Sequence, residues 1–371
     1  MPKGEYLQYG GQAVVEGVMM RSPRFFSIAC RAPNGEIVIQ TEAIDKTWIG
    51  RQKWLKKPFL RGSLALLDSM ALGSRAMRFA TNVQIDPTYG GTPMTITRSS
   101  TKDTGALTPD AGIAYPSAAD PGKQSVLATN KRVQDIAVGS TMVFALVFGL
   151  FLFTYVPNFL AEFALRKTQA TPTLINLASE VVKIVIFLGY ITLIGFNPDI
   201  RRVFQYHGAE HKAINTLEAE QNLNMENCKG QTRLHPRCGT SFAIIVLLLG
   251  LLTFTFVPRY PISGHATDRP FIDIAVRVAI EIAILPFISG IAYELLRFAG
   301  KFRNQAIVMM MFKPGLWSQF LTTREPDETQ IEVSLAALQA VLRAEERGGV
   351  DLEEPNALES GAVVVGGFLE G

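Results

Sequence analysis

Residues 196–242 read FNPDIRRVFQYHGAEHKAINTLEAEQNLNMENCKGQTRLHPRCGTSF, and a long apolar segment lies on either side of them. This stretch holds three of the four histidines and two of the three cysteines in the 371-residue chain. Asn197, Pro198 and Asp199 are typical of a helix start, because they supply a capping side chain, a fixed backbone angle and a negative charge. The sequence therefore predicts a polar helix, followed by a loop, between two apolar segments.

Residues 207–211, His-Gly-Ala-Glu-His, form an H-x-x-E-H motif within the predicted helix. His207 and His211 are four positions apart, so they share one helix face and can approach one ion. In zinc peptidases with this inverted motif, the glutamate is the general base that activates a water. The motif predicts His207 and His211 as metal ligands and Glu210 as the catalytic base. The alternative is an interfacial helix whose histidines face lipid headgroups.

Further candidate ligands follow the motif. His235 and Cys238 lie in the second half of the same loop, and an imidazole and a thiol together favour zinc as the cofactor. By analogy with the inverted-motif peptidases, a downstream glutamate can also complete the site. Glu294 is preferred to Glu281 because it lies level with the loop in the predicted topology. His235 and Cys238 are the alternative to Glu294.

The composition indicates a membrane protein. Charged residues are 19% of the chain, below the ~25% of average soluble proteins, and hydrophobic residues are 48%. Residues 136–161 and 238–258 carry no charge, and each is long enough to cross the ~30 Å hydrocarbon core. Residues 174–196 and 271–293 are also apolar but contain internal charges. We predict an α-helical polytopic membrane protein with about four transmembrane helices and the lipid bilayer as its partner.

The distribution of basic residues predicts the orientation. The other two connections carry two basic residues each. The loop at 197–240 carries six: Arg201, Arg202, Lys212, Lys229, Arg233 and Arg237. Basic loops remain in the cytoplasm, so we expect this loop and both termini on the cytoplasmic side. The formal net charge of only +3 argues against nucleic acid as a partner.

The charges inside two of the predicted spans complement one another. At 1.5 Å per residue, Glu180 and Arg277 lie ~9 Å from the outer ends of their helices, and Lys183 and Glu281 lie ~14–15 Å deep. A lone charge in lipid costs about 2.5–3.5 kcal/mol on insertion scales. We therefore predict two ion pairs, Glu180 with Arg277 and Lys183 with Glu281.

The remaining segments are assigned by pattern. Strand-like runs around Asn34-Gly35 predict a small β-rich cytosolic unit, and the helix after it lies against either the membrane surface or that unit. Pro314-Gly315 is expected to end a short amphipathic stretch that begins at Lys301. The predicted divisions are 1–83 for the β-rich unit and its helix, 84–130 for a disordered linker, 131–312 for the membrane domain, 313–347 for a C-terminal cytosolic helix and 348–371 for a mobile tail.

Several segments resemble the YqhQ-like bacterial membrane proteins, the family with domain of unknown function 1385. The matching segments are GGQAVVEGVMMR at 10–21, FQYHGAEHK at 204–212, LHPRCGTSF at 234–242, PGLW at 314–317 and LTTREPD at 321–327. The resemblance implies a metal-dependent enzyme of the bacterial cytoplasmic membrane and leaves its substrate open.

Three functions fit these patterns. The first is a metal-dependent hydrolase that cleaves a peptide or a lipid-linked bond at the cytosolic membrane face. The second is a non-catalytic membrane scaffold or biogenesis factor, in which a structural His/Cys metal site holds the central loop together. An open coordination position favours the hydrolase, and a closed four-ligand site favours the scaffold. Transport, which rests on the charged spans alone, ranks last.

Overall fold

The chain is mostly helical with one small antiparallel sheet, as seen in a computed structural model that describes residues 9–44, 60–89, 140, 143–260, 264, 270–302, 305–348 and 362–365. The strands are β1 Gly10–Val14, β2 Gly17–Arg21, β3 Phe25–Arg31, β4 Ile37–Ala43 and β5 Ala362–Val365. The described helices are α1 Leu60–Ile85, α2 Val143–Leu165, α3 Pro172–Ile194, α4 Pro198–Glu218, α5 Met225–Gly230, α6 Gly239–Phe256, α7 Pro270–Lys301, α8 Ala306–Thr322 and α9 Glu328–Glu346.

The sheet is an antiparallel meander in the order β1-β2-β3-β4-β5, and helices cover both of its faces. Successive side chains of a strand point to opposite faces. Phe25 accordingly packs with Ile331 and Leu338 of α9, while Phe26 packs on the other face with Leu72 of α1. The β-rich N-terminal unit is confirmed. The packing of α1 on it supports the core-helix alternative over a helix that only lies on the membrane surface.

The fifth strand comes from the opposite end of the chain. Ala362–Val365 pairs with β4, in the register Ile37 to Val365 and Gln40 to Ala362. The sequence predicted a mobile tail over 348–371, and its low content of large side chains gave no signal for this strand. Most of the predicted linker at 84–130 lies outside the described residues.

Within the part of the chain that the structure describes, three helices are long and apolar enough to cross a membrane: α2, α3 and α6. They correspond to three of the four predicted spans. The fourth prediction falls on α7, a 32-residue helix that carries Asp273, Arg277 and Glu281 and is not among these three. The fourth span therefore stays a prediction.

The buried charges of α3 and α7 form one network rather than two separate pairs. Lys183 Nζ lies 3.0 Å from Glu281 Oε2, which confirms that predicted pair. Glu180, however, pairs with the same Lys183 on its own helix at 2.8 Å. Arg277 bonds Glu281 at 3.2 Å and donates to the Phe254 carbonyl of α6. Depth alone could not reveal that one lysine lies between both carboxylates.

Helix α8 corrects the prediction that Pro314-Gly315 ends a helix, because it continues through both residues to Thr322. A side chain at position 315 would lie 3.0 Å from Ser241 Cβ, so glycine allows α8 and α6 to approach closely. Gln319 also donates to Ser241 Oγ at 2.7 Å. The C-terminal cytosolic helix predicted for 313–347 is thus divided between α8 and α9.

Candidate metal centre

Helix α4 carries both histidines of the H-x-x-E-H motif and begins where the sequence predicted. The Asn197 side chain accepts from the backbone N–H of Asp199 at 2.8 Å, and Pro198 occupies the first helical position. The i, i+4 spacing then brings the rings of His207 and His211 together, with 4.4 Å between their centroids. His211 is buried and His207 is partly buried. The helix therefore presents two adjacent imidazoles.

Backbone carbonyls fix the orientation of both rings. His207 Nδ1 lies 2.9 Å from the carbonyl oxygen of Thr322, the last residue of α8. His211 Nδ1 lies 2.6 Å from the carbonyl oxygen of Arg233 in the loop after α5. A carbonyl only accepts, so each Nδ1 must carry the proton and donate it. In the neutral rings, both Nε2 atoms then offer lone pairs, which is the arrangement of histidines that bind metals.

Cys238 brings a sulfur to the same place. It is the residue immediately before α6, and its Sγ lies 3.1 Å from His207 Nε2 and 3.2 Å from Thr240 Oγ1. Ligand atoms of His207, His211 and Cys238 all lie within 4.8 Å of one another, and no other such group of three occurs in the described ranges. Donor atoms around one tetrahedral zinc are roughly 3.3–3.6 Å apart, from bonds of ~2.05 and ~2.3 Å. Small side-chain movements would bring these three onto one ion.

Glu210 lies beside this group. Its Oε2 is 3.6 Å from His211 Nε2 and 4.0 Å from His207 Nε2, and the side chain is buried. Strand β1 covers it, because a Cβ added to Gly11 would lie 2.7 Å from Glu210 Cγ. The carboxylate is therefore held against the two Nε2 atoms by the sheet. Sequence reasoning missed Gly11, whose role depends on a contact between segments 199 residues apart.

His235 is adjacent to the group but is not one of its three members. Its ring centroid lies 5.6 Å from that of His211, and its Nε2 lies 3.4 Å from Glu218 Oε1. Its backbone is held by Gln319 of α8, which accepts from the His235 N–H and donates to the carbonyl. His235 thus supports His211 from outside. Gln319 and Glu218 lie outside every sequence motif for metal binding.

Glu294, the other predicted ligand, lies on α7 and is partly buried. It does not belong to the group formed by His207, His211 and Cys238. The preference for Glu294 assumed that α7 delivers this residue to the loop, whereas Gln319 of α8 is the residue that holds the backbone of His235. Of the five predicted ligands, the structure brings together two histidines and the cysteine.

The side chains of the cluster shift one another's pKa values. Burial opposes protonation of His207, but the adjacent Cys238 sulfur and Glu210 outweigh it and raise the pKa of this imidazole to about 9. Burial would raise the pKa of the Cys238 thiol, yet His207 and His211 hold it well below its ordinary value. Burial lowers the pKa of His235, although Glu218 opposes this shift. Without an ion, Cys238 and His207 therefore form a thiolate–imidazolium pair beside a neutral His235.

Gly208 explains how α8 reaches the site. An added Cβ there would overlap the carbonyl oxygen of Arg324, in the segment that follows α8. The Arg324 N–H donates to the Phe204 carbonyl at 2.9 Å, so the segment lies directly on α4. The glycine in the motif costs some helix propensity, and it allows the contact that places the Thr322 carbonyl on His207.

Glu16 joins the sheet to the same helix. It lies in the two-residue turn between β1 and β2, with a φ of 50°, and its carboxylate accepts two hydrogen bonds from Arg202. The buried Tyr206 also donates to it at 3.2 Å. Glu16 is thus a turn carboxylate that fixes β1 against α4.

Fold and site together define a class of protein: a mostly helical chain with a small N-terminal antiparallel sheet, three apolar helices and a buried His/Cys cluster at the start of one of them. A family model described as "Protein of unknown function (DUF1385)" matches residues 57–344, and the chain belongs to this family.

A curated relative supports this assignment. The chain is 33% identical over 343 residues to a Bacillus subtilis (strain 168) protein whose printed name is "Uncharacterized protein YqhQ". The match covers 91% of this chain and 93% of the relative. No solved structure matches. The resemblance in the sequence motifs is thereby confirmed as membership of the family, whereas the metal-dependent activity stays a prediction.

Proposed function

We propose that this protein is a metal-dependent hydrolase of the membrane, with zinc held by His207, His211 and Cys238. The observation that carries the proposal is the fixed direction of the two imidazoles. Both Nδ1 atoms are bonded to backbone carbonyls, so the Nε2 atoms carry the lone pairs, and the His207 Nε2 lies 3.1 Å from the Cys238 sulfur. Two imidazoles and a thiolate are a donor set that suits zinc.

Three protein ligands are typical of catalytic zinc sites, which keep a fourth position open. A divalent ion bound there supplies a Lewis acid and a water of lowered pKa. Glu210 Oε2 is placed to accept the proton of that water and to return it to the leaving group. The carbonyls of Thr322 and Arg233 orient the two imidazoles, as outer partners do in other zinc sites, and the ring of His235 packs against that of His211.

The substrate in this proposal is a peptide or a lipid-linked molecule at the membrane surface. Cys238 immediately precedes α6, one of the three helices apolar enough to cross a membrane, so the cluster lies at the end of that helix. The excess of Lys and Arg around the cluster supports a cytoplasmic position for it and for both termini, in a bacterial cytoplasmic membrane.

Metal analysis tests the proposal. The protein purified in detergent should carry about one zinc per chain, and changing both His207 and His211 to Ala should remove it, because two of the three ligands are lost. His265→Ala is the matched control, since His265 is the one histidine outside the 196–242 stretch. Unchanged zinc in the double variant would contradict the proposal.

A non-catalytic scaffold with a structural metal remains the alternative in which Glu210 is a fourth ligand. The two cases differ in the behaviour of Glu210→Gln. A catalytic base can be removed without loss of zinc, so the variant would keep the metal and lose turnover. In a closed structural site the same change removes a ligand and lowers metal content.

The Cys238–His207 pair favours a second candidate, a cysteine hydrolase that needs no metal. Sγ lies 3.1 Å from Nε2, the cysteine precedes a helix N-terminus, and the Thr322 carbonyl orients the imidazole. The thiolate would attack an acyl carbon, the imidazolium would protonate the leaving group, and water would release the acyl group from sulfur. Turnover that persists after zinc removal would favour this candidate.

A further inference from the structure

Helix α8 presents one exposed face and one buried face. The exposed face is apolar, with residues between 48 and 76% exposed: Ile307, Met310, Met311, Trp317 and Phe320. At 3.6 residues per turn, the first four of these lie within roughly a third of the helix circumference. Lys313 is the single charged residue in the 17 residues of the helix. We call these five side chains the α8 stripe.

The opposite face of α8 is buried in the protein. Val308 and Phe312 pack in a cluster with Ile245 of α6 and Leu296 of α7. Toward the end of the helix the buried side chains become polar: the Gln319 side chain holds the His235 backbone, and the Thr322 hydroxyl lies against Thr240. The α8 stripe is therefore not a core face that happens to be loosely packed, since the core face is on the other side.

The packing partners give the direction of α8. Thr322 Oγ1 lies 3.4 Å from Thr240 Oγ1, Gln319 bonds Ser241, and Phe312 clusters with Ile245. Residue numbers rise along α6 as they fall along α8, so the two helices are antiparallel. If α6 crosses a bilayer from Gly239 onward, α8 lies beside its first turns and its early residues lie deepest.

The apolar surface of neighbouring α6 and the arginines at one end of α8 indicate what covers the α8 stripe. Neighbouring α6 also exposes apolar side chains, among them Leu252 and Phe256. At the site end of α8, Arg233 lies over the Phe320 ring at 5.8 Å and Arg324 donates to the Phe320 carbonyl. Aromatic and basic side chains at one end of an apolar surface are typical of a membrane interface.

We infer that α8 descends into the bilayer beside α6, with the α8 stripe among lipid acyl chains and Thr322 at the interface. The inference rests on the membrane placement in the proposed function and deepens it. The candidate metal centre then borders the lipid phase through the helix that orients His207, and its substrate is an amphiphile that arrives from the bilayer.

Tryptophan quenching in lipid nanodiscs tests this inference with the full chain. Trp48→Phe and Trp54→Phe leave Trp317 as the single tryptophan. Lipids brominated along their acyl chains should quench its fluorescence strongly. Val15→Trp, in a background with Phe at all three native positions, is the water-facing control because Val15 lies in an exposed turn of the sheet. Leu252→Trp in that background is the lipid-facing control on α6.

The outcomes separate this inference from the membrane placement on which it rests. The inference is supported if lipid quenches Trp317 about as strongly as Leu252→Trp. Ile307→Trp should then lie deeper in the bilayer than Trp317, by roughly 15 Å at most. Quenching of Leu252→Trp alone would overturn the inference and leave the membrane placement standing. Protection of Trp317 from both brominated lipid and aqueous iodide would mean that protein covers the stripe, which also overturns it. Equal depths for positions 307 and 317 would exclude a descending helix.

Discussion

The chemistry of the candidate centre rests on a few atoms: the two Nε2 atoms, one sulfur and one carboxylate oxygen. The Thr322 and Arg233 carbonyls determine where the imidazole lone pairs are directed, and the start of α6 determines where the sulfur lies. The electrostatic effect is mutual, because the same contacts that favour a Cys238 thiolate also favour a protonated His207. A divalent cation can replace that proton between the two groups.

Cys238→Ser should weaken zinc binding by more than the roughly 10–100-fold that loss of an outer-shell partner costs, because a serine hydroxyl is a poor zinc ligand. Competition with a fluorescent chelator measures the affinity. Cys228→Ser is the matched control: Cys228 is also buried, but its sulfur accepts from the Thr216 hydroxyl at 3.2 Å and lies outside the group of three. Equal affinities for the two variants would argue against sulfur ligation.

The sequence predicted the members of this cluster better than its geometry. The i, i+4 spacing of His207 and His211 is a local property of a helix, so it could be read directly. The contributions of Thr322 and Arg233 are backbone carbonyls, which every residue possesses, so no pattern of side chains could indicate them. Glu294 was preferred to Glu281 from a topological count, and such a count does not specify which helices meet.

Between helices, the charged network of α3, α6 and α7 decides how the apolar part of the chain is assembled. Lys183 lies between the carboxylates of Glu180 and Glu281, and Arg277 ties the latter to the Phe254 carbonyl. Buried charges need partners of opposite sign, and the pair of Lys183 with Glu281 joins α3 to α7. The network therefore specifies which faces of α3 and α7 meet.

Lys183→Met should lower the free energy of unfolding by about 3–5 kcal/mol, because it removes the shared partner of two buried carboxylates. Thermal unfolding in detergent should show the loss as a lower midpoint. Lys167→Ala, at an exposed lysine after α2, is the control and should leave the midpoint unchanged. Adding Glu180→Gln to Lys183→Met should recover part of the loss. A single variant that unfolds at the wild-type temperature would contradict this role.

The sequence predicted element boundaries correctly where a local signal determines them, and incorrectly where contacts between distant segments determine them. The Asn197-Pro198 start of α4 appeared as predicted, since a cap acts within one turn. Pro314-Gly315 was taken as a helix end, yet α8 continues because its close approach to Ser241 favours glycine. Strand β5 depends on pairing with β4 more than 300 residues away, which no local pattern reveals.

At the scale of the whole molecule, the N-terminal sheet and the His/Cys cluster form one structural unit. Glu16 fixes the β1–β2 turn to Arg202 and Tyr206 of α4, and Gly11 lies directly on Glu210. The sheet is in turn held between α1 and α9, so the carboxylate is backed by a packed core. We expect the N-terminal unit to position Glu210 rather than to act as a separate domain.

Gly11→Ala should displace Glu210 without touching the zinc ligands, because the added Cβ would lie within 2.9 Å of both Glu210 Cγ and Oε1. The variant should keep its zinc and lose turnover to the level of Glu210→Gln, with a stability loss of about 1–3 kcal/mol from overpacking. Mass spectrometry of membrane peptides and lipids incubated with the protein measures turnover. Gly10→Ala, where a Cβ meets nothing within 4 Å, is the control. Loss of zinc in Gly11→Ala would instead make Glu210 a ligand.

X-ray absorption spectroscopy of the purified, zinc-loaded protein tests the central claim most directly, because it reports the ligands of the ion itself. The account predicts one sulfur at ~2.3 Å, two imidazole nitrogens at ~2.0–2.1 Å and one further light atom from water. Cys238→Ser should remove the sulfur scattering alone, and the double change of His207 and His211 should remove the imidazole signal. A spectrum without sulfur, or one without two imidazoles, would contradict a centre built from His207, His211 and Cys238.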